Sequence, residues 1–285
     1  MQGFLAATGG ANLRADYAYR VGVDFQTNRF GLSAQHLMVG PDVDPGIGFV
    51  TRTDIRRSGG FGRVTPRPPM LELRKIDLFG VGEYVGRADG GVQDWNAGVA
   101  VSPEWNSGDG FTVYYVRAFS RLDEAFDLAD SIPVPAGDYL LWNWGWFGST
   151  SGARPIVLGT QGSIQRFYGG TLTSVGGELR VAAGTHLGVT VGYTRNDAHL
   201  PGGSFVARIL RARLAYAFTT RLTANALLQW NSLERAISAN VRINYIYRPG
   251  SDVFLVINEE RGFGADIWAP RNRGVRLKLA WLTRL

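Results

Sequence analysis

Cysteine is absent from the 285 residues, and histidine and methionine occur three times each. No disulfide and no thiolate metal site can form. His36, His186 and His199 fall in separate segments, without the spacing of a metal-ligand set. No Gly-x-Ser-x-Gly elbow and no Walker-type phosphate loop is found. No catalytic residue, metal site or cofactor is therefore expected. Long apolar runs are missing too: nothing approaches the roughly 18 residues of a transmembrane helix, although hydrophobic residues make up 45% of the chain and mean hydropathy is −0.06. A membrane-spanning barrel strand is not excluded by this, since it needs only about 9–11 residues, every second one apolar. The opening Met1-Gln2-Gly3-Phe4-Leu5-Ala6-Ala7-Thr8 has neither a basic segment nor a long apolar core. The chain is accordingly read as one domain, 1–285, of a longer protein whose export signal lies upstream.

What is abundant is glycine (38), tryptophan (8) and tyrosine (11). Glycine at this density disfavours long helices, and Trp and Tyr favour membrane–water interfaces. The dominant period is two. Leu222, Ala224, Ala226, Leu228 and Trp230 fall on one face of their segment, opposite Thr223, Asn225, Leu227 and Gln229. In the next, Val241, Ile243, Tyr245 and Tyr247 oppose Asn240, Arg242, Asn244 and Arg248; in the one before, Leu210, Ala212, Leu214, Tyr216 and Phe218 oppose Arg211, Arg213, Ala215 and Ala217. Strand side chains alternate between faces, so each segment has one apolar and one polar or small face.

The pattern predicts about sixteen strands, at 2–8, 15–25, 30–38, 55–64, 70–85, 92–102, 111–120, 138–148, 154–167, 171–183, 186–196, 204–219, 221–233, 236–248, 252–260 and 273–285. Tight turns at 26–29, 183–185, 219–220 and 248–251 alternate with longer links at 39–54, 121–137, 197–203 and 261–272. Link 103–110 is long for its side of the meander, and 233–236 short for the other. Outer-membrane barrels have short periplasmic turns and longer external loops. The fold expected is all-β: an antiparallel transmembrane β-barrel of about 16 strands in meander order, in the outer membrane of a Gram-negative bacterium. A soluble sandwich or propeller also alternates, but it needs a buried face for every strand, and no blade-length repeat is present.

Arg or Lys facing lipid costs about 2–4 kcal/mol at the bilayer midplane. Arg20, Asp24, Arg211, Arg213, Arg242, Arg276 and Lys278 are therefore expected to line the lumen. Trp142, Trp144, Trp146, Tyr216, Tyr245, Tyr247 and Trp281 are expected on the lipid face and its aromatic girdle. The segment from Asn272 to Leu279 fits polar-x-Gly-x-x-apolar-x-apolar, and alternation continues through Trp281 to the terminal Leu285. It resembles the signal read by the barrel-assembly machinery, carried here by Gly274, Leu277, Leu279, Trp281 and Leu285; the terminal Leu stands where an aromatic residue is usual.

Two further stretches carry a resemblance. One runs from Gly40-Pro41-Asp42-Val43-Asp44-Pro45-Gly46 through Arg57; the other from Tyr245-Ile246-Tyr247-Arg248-Pro249-Gly250 through Glu259, supported by Ile132-Pro133-Val134-Pro135-Ala136-Gly137-Asp138-Tyr139. Together they resemble the C-terminal domain of a bacterial outer-membrane family of unknown function. Its longer members carry an N-terminal module similar to family-nine carbohydrate-binding modules. The resemblance implies a barrel and a carbohydrate connection, and no reaction.

The carboxylates Asp42 and Asp44, and Asp123, Glu124, Asp127 and Asp130, could supply oxygen ligands to calcium, but neither set follows a calcium-loop spacing. An Asx/Pro-Gly turn accounts for the first and a solvated loop for the second. The net charge of +6 is spread over many strands, which points away from nucleic acid. The function expected is a channel or a transport or docking platform, with saccharides or small anionic solutes as cargo and membrane lipid around it. The alternatives are an outer-membrane hydrolase using Asp123, Glu124, Glu259 and Glu260 in external loops, and a non-catalytic anchor for a carbohydrate-binding module.

Overall fold

A computed structural model describes residues 2–10, 13–44, 52–87, 90–128, 132–263 and 270–282, and for 2, 8–10 and 13–15 the backbone alone. No described helix is long and apolar enough to cross a membrane. The strands are β1 (Gln2–Gly10), β2 (Leu13–Gln26), β3 (Phe30–Val39), β4 (Ile55–Val64), β5 (Leu73–Gly86), β6 (Val92–Trp105), β7 (Gly110–Leu122), β8 (Phe126–Leu128), β9 (Ile132–Val134), β10 (Gly137–Ser149), β11 (Ile156–Phe167), β12 (Gly170–Ala183), β13 (Leu187–Leu200), β14 (Gly203–Ala217), β15 (Leu222–Asn231), β16 (Ala236–Arg248), β17 (Ser251–Gly262) and β18 (Pro270–Ala280). All but β8 and β9 form one 16-stranded sheet in chain order, and β8 and β9 pair as a separate hairpin. The strand pairings are antiparallel, as the short connections require.

Two turns show how local chemistry sets the register. The Thr27 hydroxyl accepts from Phe30 N–H at 2.9 Å and Arg29 N–H at 3.4 Å. The Thr219 hydroxyl accepts from Leu222 N–H at 3.0 Å and Arg221 N–H at 3.1 Å. Thr-x-Arg-apolar is thus used twice to close a hairpin, with the hydroxyl satisfying amides that the ladder leaves open.

The chain divides into two compact units. The first comprises Met1–Trp146, Ser163–Thr171 and Leu200–Gly203; the second Phe147–Gly162, Leu172–His199 and Ser204–Leu285. Within the first, Ala18, Val39, Val43 and Ile55 form a small buried cluster with Leu37 packed against it. The β8–β9 hairpin adds further buried residues, Ile132 and the almost fully enclosed Val134. Few large apolar side chains are fully buried, and many stand exposed, among them Val23, Phe25, Leu32, Val99 and Val101, each on one face of its strand. Monomeric soluble proteins rarely expose contiguous apolar surface of this kind.

Strand ends shift by a few residues throughout, and four places differ in a way that changes a link or an end. Link 103–110 shrinks, because β6 runs to Trp105 and β7 starts at Gly110. Link 197–203 is mostly strand: β13 continues to Leu200, with Ala198 fully buried between the outward Asp197 and His199, leaving Pro201-Gly202 as the turn. The polar composition there disguises an alternating pattern. Link 121–137 contains the β8–β9 hairpin, whose apolar Phe126, Ile132 and Val134 are set among carboxylates. The last strand ends at Ala280 rather than 285. Trp281 and Leu282 lie beyond it, and Leu285 lies outside the described residues.

Candidate functional site

Register assigns the side chains of each unit to two faces. In the first unit, Arg20 pairs with Leu37, Gly22 with Gln35 and Asp24 with Ser33; Gln35 then faces Gly59, Gly59 faces Glu83, and Glu83 faces Asn96. These residues share one face, and all but Leu37 surround a cavity of about 850 Å³, to which Phe4 and Phe61 add aromatic surface. Arg20 and Asp24 both line it. The charges there are largely held by neighbours. Arg20 Nη2 donates to Gln35 Oε1 at 2.7 Å, and Arg57 pairs with Glu83 at 2.6 Å. Further along the same face, Asp77 lies 2.8 Å from Lys75 and 3.6 Å from Arg63, with Thr65 donating to it at 2.5 Å. Lys75 also reaches Glu104 at 3.3 Å.

The second unit is arranged differently. Cross-strand rows run Ala215–Asn225–Arg242–Val256–Arg276, and beside it Ala217–Thr223–Asn244–Phe254–Lys278. Arg213 and Arg211 stand in the next rows, opposite Leu227 and Gln229. Arg211, Arg213, Arg242, Arg276 and Lys278 thus share a face. Arg213 and Arg242 line a smaller cavity of about 330 Å³ together with Thr223, Asn225, Ala226, Leu227, Asn240 and Asn244. None of the five cations has a carboxylate partner among the described residues. Arg242 is held instead over the Phe254 ring, 4.6 Å from its centroid.

The opposite faces are apolar. Tyr216, Ala224, Ile243, Leu255 and Leu277 form one row in the second unit, and Tyr245 and Leu279 lie on the same face. In the first unit, Tyr115 packs on Trp144 at 4.6 Å, while Tyr114 from the other face of β7 crosses the site of Gly145. Trp142, Trp144 and Trp146 therefore alternate with Asn143 and Gly145, on the side away from Tyr114. Arg248 departs from its expected place with Asn244 and Arg242. A register shift between Ile246 and Arg248 turns it over the rings of Tyr247 and Trp281, at 5.5 and 5.2 Å from their centroids. Gly274, Leu277 and Leu279 lie in the paired part of β18. The Trp281 ring lies beside that of Tyr247, centroids 5.9 Å apart.

The carboxylates considered for acid/base chemistry are dispersed. Asp123 pairs with Arg87 at 3.3 Å, Glu259 with Arg261, and Glu260 with Arg271 at 3.8 Å. Glu259 and Glu260 are adjacent in a strand and so point to opposite faces. The histidines are equally separate: His36 contacts Ser58 at 2.8 Å, His186 the Ala217 carbonyl at 2.8 Å, and His199 lies 3.1 Å from Asp197. No group of three candidate metal ligands occurs among the described residues. Asp42 N–H donates to the Asp16 carboxylate at 2.8 Å, and Asp130 lies outside the described residues.

Nothing in the sequence singles out Glu83, Arg57 and Asn96. They meet only through the register of β4, β5 and β6. Asn225, Asn240 and Asn244 are legible there as a polar face, but not as the wall of one cavity.

No protein-family model and no curated protein sequence matches the chain. Solved structures do. The ferric enterobactin receptor of Pseudomonas aeruginosa, in complex with enterobactin, superposes with a TM-score of 0.53 at 12% identity, covering 97% of this chain and 59% of the receptor. The siderophore receptor of Acinetobacter baumannii gives 0.52 at 9% identity, covering 98% and 57%. The chain thus spans under three-fifths of the length of these receptors, and what it shares with them is the fold of an outer-membrane receptor barrel.

Proposed function

We propose that the chain spans the bacterial outer membrane, with its apolar face toward lipid and its polar face lining a passage or docking surface for small solutes. The observation that carries this reading is the division of faces in the antiparallel meander. In the first unit one face exposes Val99, and in the second one face exposes Leu214, Tyr216 and Leu277; the opposite face of each unit gathers the charged and amide side chains. Hydrocarbon offers no hydrogen-bonding partner, so a spanning sheet must pair its backbone internally, and an antiparallel meander does this with short connections. The likeness in fold to outer-membrane receptor barrels supports the location.

Cargo is assigned to two chemical classes. The cavity of about 850 Å³ in the first unit presents Asp24, Ser33, Gln35 and Asn96 beside Phe4 and Phe61. Such a set suits a polyhydroxylated solute, which needs hydrogen-bonding groups around its rim and an apolar surface for its ring faces. This supports the saccharide reading that the sequence resemblance raises. The cation-rich face of the second unit suits anions. Purified protein reconstituted in a planar bilayer tests the proposal. Conductance that favours anions over cations, and that falls in the presence of uncharged oligosaccharides, is expected. A bilayer that remains silent with correctly folded protein rejects the passage and favours the anchor reading.

A further inference from the structure

The charge distribution differs between the two polar faces in a way that composition does not reveal. In the first unit, Arg57, Arg63 and Lys75 each have a carboxylate within ion-pair distance. In the second, Arg213 and Arg242 point into a common cavity with no carboxylate on its lining. Two guanidinium groups sharing a cavity repel each other, and no lining residue neutralises them there.

We propose that this cavity is a binding site for a small water-soluble oxyanion, the carboxylate or phosphate group of a solute; the inference rests on the polar face being reached by solvent, as in the function proposed above. Arginine presents a rigid planar fork of N–H donors that matches carboxylate and phosphate oxygens two at a time. Arg242 is oriented without spending those donors, because the Phe254 ring holds its cation by the face. Its N–H groups accordingly remain available to a ligand.

The rest of the lining fits the same chemistry. Asn240 donates to Asn258, which fixes one amide at the wall. Asn244 Oδ1 is buried without a protein hydrogen-bond partner. Leu227 supplies an apolar side chain to the floor, which strengthens the pull of the arginines on a bound charge. Arg276 and Lys278 stand two strands further along the same face and bias approach toward anions. The two carboxylates that β17 puts on that face, Asp252 and Glu260, lie toward opposite ends of the strand, and no carboxylate is among the lining residues.

Equilibrium binding in detergent micelles tests the site without requiring a conducting pore. The 285-residue chain is titrated calorimetrically with inorganic phosphate, and separately with acetate, at low ionic strength. The variant pair Arg213→Gln/Arg242→Gln is compared with Arg211→Gln/Arg276→Gln, which removes the same charge from the same face but leaves the cavity lining intact. Circular dichroism and heat-modified gel mobility confirm that each is folded. Saturable binding by the parent is expected. It should weaken by about tenfold or more in the first pair, the scale of one lost charge-assisted hydrogen bond, and by much less in the second. Equal weakening in both pairs means diffuse screening and overturns the site, as does absence of saturable binding by the folded parent. A parent that binds phosphate but does not conduct rejects the passage and keeps the site; one that conducts without binding does the reverse.

Discussion

Val99 offers the sharpest test of which face meets lipid. It lies near the middle of β6 (Val92–Trp105) and is 62% exposed. A strand tilted about 40° gains about 2.5 Å of depth per residue, which puts Val99 about 15 Å or more from either strand end and close to the midplane. Val99→Arg then places a guanidinium in hydrocarbon, at a cost of about 2–4 kcal/mol, or about 30- to 700-fold in the folding equilibrium. Asn96→Arg is the matched control. It lies on the same strand but on the polar face, opposite Glu83, and gains a carboxylate neighbour. Denaturant titration of both variants folded into phospholipid vesicles reads the difference directly. For a soluble sheet the ranking vanishes, because an exposed substitution shifts stability by about 0.5 kcal/mol or less. If Val99→Arg matches the parent in vesicles, or if Asn96→Arg is the costlier change, the assignment of faces is wrong.

Other outcomes follow from particular contacts. Single cysteines are clean probes because the chain has none. Asn28→Cys and Thr220→Cys are expected to react with an impermeant maleimide only after the outer membrane is opened, and Gly202→Cys and Leu233→Cys on intact cells; labelling of all four from outside refutes the topology. Deleting residues 281–285 removes Trp281 from Tyr247 and Arg248, and the Leu282 amide from the Ser251 hydroxyl, to which it donates at 3.1 Å. Assembly into the outer membrane should fail, and normal levels of heat-modifiable protein in that fraction would contradict this. Tyr168 has φ of 42°, a backbone state that costs a non-glycine residue about 1–2 kcal/mol. It is retained by ring contacts to Phe126, Tyr139 and Phe167, worth about 0.5–1.5 kcal/mol each. Tyr168→Gly relieves the strain but frees the β8–β9 hairpin, so limited proteolysis between Arg121 and Gly137 should accelerate while global unfolding stays nearly unchanged. Thr219→Ala removes the acceptor for the Leu222 and Arg221 amides and should cost about 1 kcal/mol in the same vesicle titration.

The strands of the sixteen-stranded sheet, their order and their alternation were legible in the chain by itself; the β8–β9 hairpin was not. Alternation is a local property: Leu222 to Trp230 and Val241 to Tyr247 announce their apolar faces without reference to any neighbour, because successive side chains of a strand must point opposite ways. Meander order follows nearly as directly, since links as short as Thr219-Thr220 can join only antiparallel neighbours. What a one-dimensional pattern does not contain is the offset between strands. Only the register brings Glu83 to Asn96 and Arg57 to Glu83, and it sets Arg242 in a row with Asn225 while Arg213 enters the same cavity from two strands away. One shifted residue, as between Ile246 and Arg248, was enough to turn an expected polar-face arginine onto two aromatic rings. Which arginines meet carboxylates and which face an open cavity was decided by tertiary structure, because ion pairing depends on distances of a few ångströms across strands far apart in sequence.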